Sequence, residues 1–275
     1  MRYIVKGNFY ASLCRDFTEA ISNTRIRVYQ VESASNVVDA SKSDIGYPHI
    51  LTAKEIADKE HNLIGKGNTD SDGNYEIELS DNYQEESITI DIKITAAPGQ
   101  KVTKKKPLQL TVQKLSPVWR DENNRFEYCY NYRFSFEFWN GIRTHFDAWV
   151  ICGYLESSPK ENVPIISATV SAFDADWIKD DFLGQSLTNS RGYFRIDFCD
   201  SDFKQTFLSP AINIETPIST IPTPGVYFKA VTADGTILYE EDRAESRSEE
   251  RKHIPHCYGV NLYLSDARNQ ILKEY

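Results

Sequence analysis

The stretch from Leu183 to Phe198, LGQSLTNSRGYFRIDF, has an echo 119 residues earlier in Ile64 to Leu79, IGKGNTDSDGNYEIEL. Self-similarity of this kind means that one structural unit is built twice, which narrows the fold more than any other feature of the chain. In both copies a glycine (Gly65, Gly184) stands four residues before a threonine (Thr69, Thr188). A Ser-x-Gly (Ser71 to Gly73, Ser190 to Gly192) then leads into an alternating apolar run. A glycine with polar neighbours between two such runs supplies the positive φ of a tight turn, and the period-2 pattern after it marks a half-buried strand. Each copy is therefore predicted to be a β-hairpin. Tyr75, Ile77 and Leu79 in the first copy, and Phe194, Ile196 and Phe198 in the second, are predicted to face a core.

The repeat extends upstream, where ISNTRIRVYQ (Ile21 to Gln30) matches IISATVSAFD (Ile165 to Asp174) at an offset of 144. The difference between 144 and 119 means that the first copy carries an insertion of 25 residues before its Gly65 strand. The run VSAFDADWIKDDFLGQSLTNSRGYFRIDF, followed by PGVYFKAVTADGTILYEED, is similar to the transthyretin-like family of β-sandwich domains, related in shape to carboxypeptidase regulatory-like modules. The resemblance spans Ala148 to Ser265, and between Arg2 and Thr95 it is carried by the opening strands and the Gly73 turn. It implies a seven- or eight-stranded sandwich that serves as a binding, spacer or assembly module, and it does not by itself imply catalysis.

The fold class expected is all-β, two tandem antiparallel transthyretin-like sandwiches with one short helical insertion in the first. A chain of 275 residues holds two domains of ordinary size. The expected domains are 1–143, with an insertion at 32–62 and a long aromatic strand at 126–138, and 144–275. Aromatics make up 12% of residues, which together with short apolar runs favours strands over helices. In the insertion, Thr52 and Glu55 have capping-box spacing for a short helix. The insertion itself reads as a flap over a sheet edge or as a binding loop. From Phe126 to Phe138, FEYCYNYRFSFEF places an aromatic on every second residue, so all seven fall on one side of a strand. Such a stripe either lines the first core or docks a partner, with Tyr128, Tyr130, Tyr132 and Phe134 as the docking residues. Asn140-Gly141 reads as a turn, and the second sandwich as starting beyond it.

Net charge is −9, which argues against nucleic acid as a partner. The N-terminus runs directly into strand-like alternation without the apolar stretch of a signal peptide, and no run is long enough to span a bilayer. Cys14, Cys129, Cys152, Cys199 and Cys257 are widely spaced with no CxxC, and read as reduced, buried thiols. A cytoplasmic protein, or part of an assembly built in the cytoplasm, is the expectation.

Two segments concentrate chemistry. Asp174, Asp176, Asp180 and Asp181 in DADWIKDD could bind calcium through carboxylate oxygens, with a spacing similar to that of the calcium- and lipid-binding sandwiches of synaptotagmin type. The alternative is a structural acidic loop, since D-x-D and DD-x-L-G are common in the transthyretin-like pattern without metal. His253, His256, Cys257 and Tyr258 offer donors like those of the iron ring-opening dioxygenases, which use two His and two Tyr. That family spreads its ligands over separate strands and pairs them with an Arg-Pro motif that this chain lacks, as it lacks the tail of transthyretin-like purine enzymes; GxSxG, HExxH, P-loop and GxGxxG are also absent. The expected role is non-enzymatic: a protein-binding adaptor or structural subunit that grips other subunits of a multi-protein assembly, a phage-tail-like particle being one such assembly. A calcium-dependent binding module is the main alternative, and an iron dioxygenase-like enzyme the second.

Overall fold

Alternating apolar side chains make strands the main element throughout. The computed structural model describes residues 1–14, 17–31, 48–100, 103–123, 125–175, 180–203 and 223–265. The chain is all-β and divides into two units. One comprises Met1–Ser12, Thr18–Pro98 and Val102–Trp139, and the other Leu13–Phe17, Gly99–Lys101 and Asn140–Tyr275.

Up to Phe134 the strands are β1 (Arg2–Cys14), β2 (Phe17–Ala20), β3 (Arg25–Gln30), β4 (His49–Ile50), β5 (Leu63–Asn68), β6 (Asn74–Glu78), β7 (Ile88–Ile94), β8 (Leu108–Leu115), β9 (Arg120–Glu122), β10 (Arg125–Cys129) and β11 (Tyr132–Phe134). Helix α1 (Ala53–Lys59) precedes β5, and α2 (Phe136–His145) follows β11. One sheet is built on β1, which pairs with β2, β6, β10 and β11, and β9 extends it beyond β10; the other has the order β4-β8-β7-β3-β5. Val5, Phe9 and Ala11 of β1, Tyr75 and Ile77 of β6, Ile26 and Val28 of β3, and Ile88, Ile90 and Ile92 of β7 are buried, one face of each strand. Helix α1 starts where the spacing of Thr52 and Glu55 places it, with both arms of the capping box formed. Residues 32–47 of the insertion lie outside the described residues.

The second unit contains β12 (Ala148–Glu156), β13 (Thr169–Asp174), β14 (Asp181–Leu187), β15 (Tyr193–Cys199), β16 (Val226–Val231), β17 (Ile237–Glu240), β18 (Cys257–Gly259) and β19 (Leu262–Tyr263), with the one-turn α3 (Asp200–Phe203) after β15. Its sheets have the orders β15-β12-β18, with β19 also on β12, and β14-β13-β16-β17. Trp149, Ile151, Val170, Phe194, Ile196, Phe198 and Phe228 belong to one apolar core cluster. The strand order repeats that of the first unit: β6-β1-β10 corresponds to β15-β12-β18, and β5-β3-β7-β8 to β14-β13-β16-β17.

The repeated turn is not a hairpin. β5 pairs with β3 while β6 pairs with β1, and β14 pairs with β13 while β15 pairs with β12. Each turn therefore arches from one sheet to the other, and the reason is in its side chains. Buried Thr69 Oγ1 accepts from the Thr24 amide at 2.9 Å, and buried Thr188 Oγ1 accepts from the Ala168 amide at 2.9 Å. A carboxylate oxygen of Asp70 accepts from the amides of Asp72 and Asn74, and Asn189 Oδ1 accepts from those of Arg191 and Tyr193. The amides of Phe9 and Leu155 donate to the carbonyls of Gly73 and Gly192, at 3.0 and 2.9 Å. Gly73 (φ +79°) and Gly192 (φ +73°) press so close to those strands that a Cβ would sit 2.4 Å from the Phe9 oxygen and 2.6 Å from the Leu155 oxygen. The core-facing residues expected of both copies, Tyr75, Ile77, Leu79, Phe194, Ile196 and Phe198, are all buried. Alternation settles which face is buried but not which strand supplies the hydrogen bonds.

The structure adds parallel pairs to the antiparallel ladders. β1 runs parallel to β10 and then to β11, and β12 runs parallel to β18 and then to β19. Both partners break at the same place. Tyr130 N–H donates to the Lys6 carbonyl and Asn131 Oδ1 accepts from Asn8 N–H, while Val260 N–H donates to the Cys152 carbonyl and Asn261 Oδ1 accepts from Tyr154 N–H. A Cβ on Gly7 would lie 1.9 Å from the Tyr130 oxygen, and one on Gly153 1.5 Å from the Val260 oxygen. Only glycine lets the broken strand pass this close.

The single strand expected over 126–138 is thus three elements: β10, β11 and the start of α2. Ser135 opens the helix, its hydroxyl oxygen accepting from Phe138 N–H and its carbonyl from Trp139 N–H. Phe134 and Phe138 satisfy both an even spacing and the i,i+4 spacing of a helix, so the stripe alone does not separate the two. Asn140-Gly141, read as a turn, lies inside α2. The equivalent stretch of the second unit is likewise divided, into β18 and β19.

Candidate functional site

The aromatic stripe forms a chain of ring contacts in the first unit. Phe126 stacks on Tyr3 at 5.2 Å, Tyr128 meets Trp119 edge-on at 6.0 Å, and Tyr130 meets Phe9 edge-on at 6.2 Å. Tyr132 stands edge-on to Phe134 at 4.9 Å, and Phe134 stacks on Phe138 at 5.7 Å. Phe134 is 0% exposed and packs into the core with Phe9 and Trp139. Tyr128, Tyr130 and Tyr132 are half-buried. Burial raises the phenols of all three above the usual tyrosine range, so they stay neutral donors at physiological pH.

Next to them, Lys6, Asn8, Asn74, Glu76, Cys129 and Asn131 line a shallow groove of about 610 Å³. The Asn8 carboxamide donates to the Asp72 carbonyl and to Asn74 Oδ1, and Lys6 pairs with Glu127. With the pair between Glu76 and Arg125 at 2.9 Å, these contacts place neutral amides and two ion pairs along the groove. They do not pair a nucleophile with a base.

Of the acidic loop, Asp176 lies outside the described residues. Asp174 Oδ1 accepts from Gly225 N–H at 2.8 Å, and Asp181 stands opposite Asp174 in the β13–β14 ladder. Asp180 takes Arg243 Nε at 2.7 Å on one oxygen and the Tyr227 hydroxyl at 2.6 Å on the other. The Tyr227 phenol is pushed up to about 12, by burial first and then by this bond to Asp180. One oxygen of Asp174 and both of Asp180 are thus tied to protein donors. Among the described residues no group of three or more His, Cys, Asp or Glu is arranged to hold a metal ion.

The donors of the 253–258 segment point to separate partners. His253 Nδ1 bonds Thr223 at 2.9 Å, while His256 stacks on the Trp149 ring at 3.7 Å and bonds Thr144. Cys257 is buried in β18, and the Tyr258 hydroxyl donates to the Glu250 carbonyl at 2.9 Å. Near them lies a network that the sequence did not reveal. Arg251 pairs with buried Glu241 at 2.6 Å, and Glu241 accepts from Phe228 N–H and from the Tyr239 hydroxyl. Burial raises the Glu241 carboxyl despite the arginine.

The insertion is latched down by another such network. β4 pairs with β8, and Lys59 at the end of α1 reaches Asp91 of β7, at 2.8 Å from one carboxylate oxygen and 3.0 Å from the other. Gln109 and Thr111 of β8 donate to the same carboxylate. Asp91 sits one residue out of step with Ile90 and Ile92, where alternation marks it only as outward-facing. It is buried with the Lys59, Gln109 and Thr111 side chains bonded around it.

Fold and site together define an all-β chain of two units with matching strand orders, whose polar clusters bind its own strands. No family model and no curated protein sequence matches it. Among solved structures, the SpaE basal pilin of Lactobacillus rhamnosus GG is similar over 95% of this chain and 98% of that chain, at 10% identity and a TM-score of 0.27. The D295N mutant of the shaft pilin spaA from the same organism is similar over 96% and 97%, at 9% identity and a TM-score of 0.29. A 9R-lipoxygenase from Cyanothece PCC8801 is similar over 47% of this chain but only 16% of that chain, at 11% identity and a TM-score of 0.26. Likenesses of this size do not extend to function. No described helix is long and apolar enough to cross a membrane.

Proposed function

We propose that the chain is a non-catalytic structural subunit, built of two transthyretin-like sandwiches, that binds other protein subunits of a larger assembly. The observation that carries this reading is the duplication. Arch, crossing strand and sheet order are made twice with equivalent residues, and the charged and hydroxyl groups in both units are spent on holding strands and loops in place. A scaffold of this kind presents surfaces rather than a reaction centre.

Two surfaces suit a protein partner. In the first unit these are the half-buried Tyr128, Tyr130 and Tyr132, with Phe134 beneath. In the second, outer strand β14 exposes Phe182 (51%) and Leu187 (63%). Large apolar groups on an outer strand favour cover by another chain. Size-exclusion chromatography of native extract, followed by cross-linking mass spectrometry, tests the proposal. The chain is expected to elute with partner subunits cross-linked near β14 or the tyrosines, and Phe182→Asp with Leu187→Asp should release partners held at β14 without lowering the melting temperature. Elution as a lone chain at every stage would overturn it. The kind of assembly, phage-tail-like or other, is read from the partner's identity.

A further inference from the structure

Cys14 and Cys152 lie far apart in sequence but together in the second unit, their sulfur atoms 3.9 Å apart and not bonded to each other. Three features bring them together. Cys152 stands on β12 directly opposite Gly259 of β18. Gly259 has no side chain, and the Cys14 sulfur occupies the space: a Cβ there would lie 2.6 Å from it. Phe17, three residues beyond Cys14, packs on the rings of Tyr154 and Tyr193 at 5.4 and 5.5 Å, which holds Phe17 against β12 and β15. We propose that Cys14 and Cys152 form a redox site, closing to an intramolecular disulfide when the protein meets a peroxide.

Closing the bond to about 2.05 Å requires the sulfurs to approach by about 2 Å, a movement within reach of side-chain rotation. The roles of the two thiols follow from their exposure. Cys14 is half-buried and reachable, whereas Cys152 is 0% exposed. Cys14, as thiolate, attacks one peroxide oxygen; the O–O bond breaks, leaving a sulfenic acid on Cys14 and a hydroxide, which becomes one water by taking up the proton that the Cys14 thiol released on ionising. The Cys152 sulfur then attacks the Cys14 sulfur and the S–O bond breaks. The hydroxyl leaves as a second water with the proton that Cys152 gives up. Two thiols are oxidised by two electrons and one peroxide is reduced to two waters. The neighbouring Cys14 sulfur and burial both raise the Cys152 thiol above its usual range, which leaves the first attack to the more exposed Cys14; Cys152 resolves because its sulfur is the one beside Cys14.

The test is to treat the folded full-length protein, at low concentration, with hydrogen peroxide, block remaining thiols by alkylation, and map peptides by mass spectrometry without reduction. The expected product is a monomer that has lost two hydrogen atoms and yields one cross-linked peptide pair containing Cys14 and Cys152. Cys14→Ser should abolish that pair and Cys257→Ala should leave it. Exposed Cys129 reports that oxidant reached the protein. Oxidation of Cys129 with Cys14 and Cys152 both still alkylated would overturn the proposal, as would a bridge from Cys152 to Cys257.

Discussion

Replacing Lys59 by Met tests whether the insertion is held by a buried charge or merely rests on the sheet. Asp91 is 0% exposed and the Lys59 side chain 20% exposed. Removing the ammonium leaves the carboxylate with two neutral donors, Gln109 and Thr111, at 2.9 Å each, and no countercharge. Breaking a buried pair from one side costs about 3–5 kcal/mol, and the partial exposure of Lys59 puts the expectation near the lower bound, about 3 kcal/mol. Part of this is the loss of the ammonium over the Tyr29 ring, 4.4 Å from its centroid. In a urea melt this should appear as a lower midpoint with unchanged slope, and in a thermal scan as a drop of about 10 °C. Lys54 of the same helix is exposed, and Lys54→Met should stay within about 0.5 kcal/mol of the parent. Equal losses for Lys54→Met and Lys59→Met would refute the latch.

Gly7→Ala and Gly153→Ala should each destabilise by about 3 kcal/mol or more in denaturant melts, because the new methyl would sit 1.9 or 1.5 Å from a carbonyl oxygen of the crossing strand. Gly141→Ala meets nothing within 4 Å and lies in α2, so it should stabilise by about 0.5–1 kcal/mol. Bonds from the Thr52 amide, the Thr52 hydroxyl and His49 hold the Glu55 carboxyl at about 2, below its ordinary 4.5. Since the folded value is the lower one, the stabilisation is present above pH 4.5 and fades as pH falls through 2. A carboxyl NMR titration of Glu55 with its midpoint at the ordinary value would contradict the capping geometry. With Asp174 and Asp180 already engaged, melting curves in millimolar calcium and in EDTA should superimpose; a calcium-dependent rise lost in Asp181→Asn would restore the ion-binding reading.

Much of this architecture is legible in the chain itself, because it rests on local physics. Alternation marks the buried faces of β6 and β15, the Thr52–Glu55 spacing starts α1, and the repeat of Gly73 at Gly192 marks two equivalent turns. Each of these depends on residues within about one turn or one strand of each other. What a strand pairs with is a different matter, since hydrogen-bond partners come from distant chain and period 2 is the same for any of them. Hence a glycine turn that reads as a hairpin is an arch between sheets, and thirteen residues of aromatic alternation divide into two strands and a helix. CYNYRF (129–134) and GVNLYL (259–264) share only one asparagine, yet Asn131 and Asn261 hold the same break beside Gly7 and Gly153. Nor does any spacing place Lys59 against Asp91, or Cys14 against Cys152. Those meetings are made by strands and a helix closing over one another, and they exist only once the core has formed.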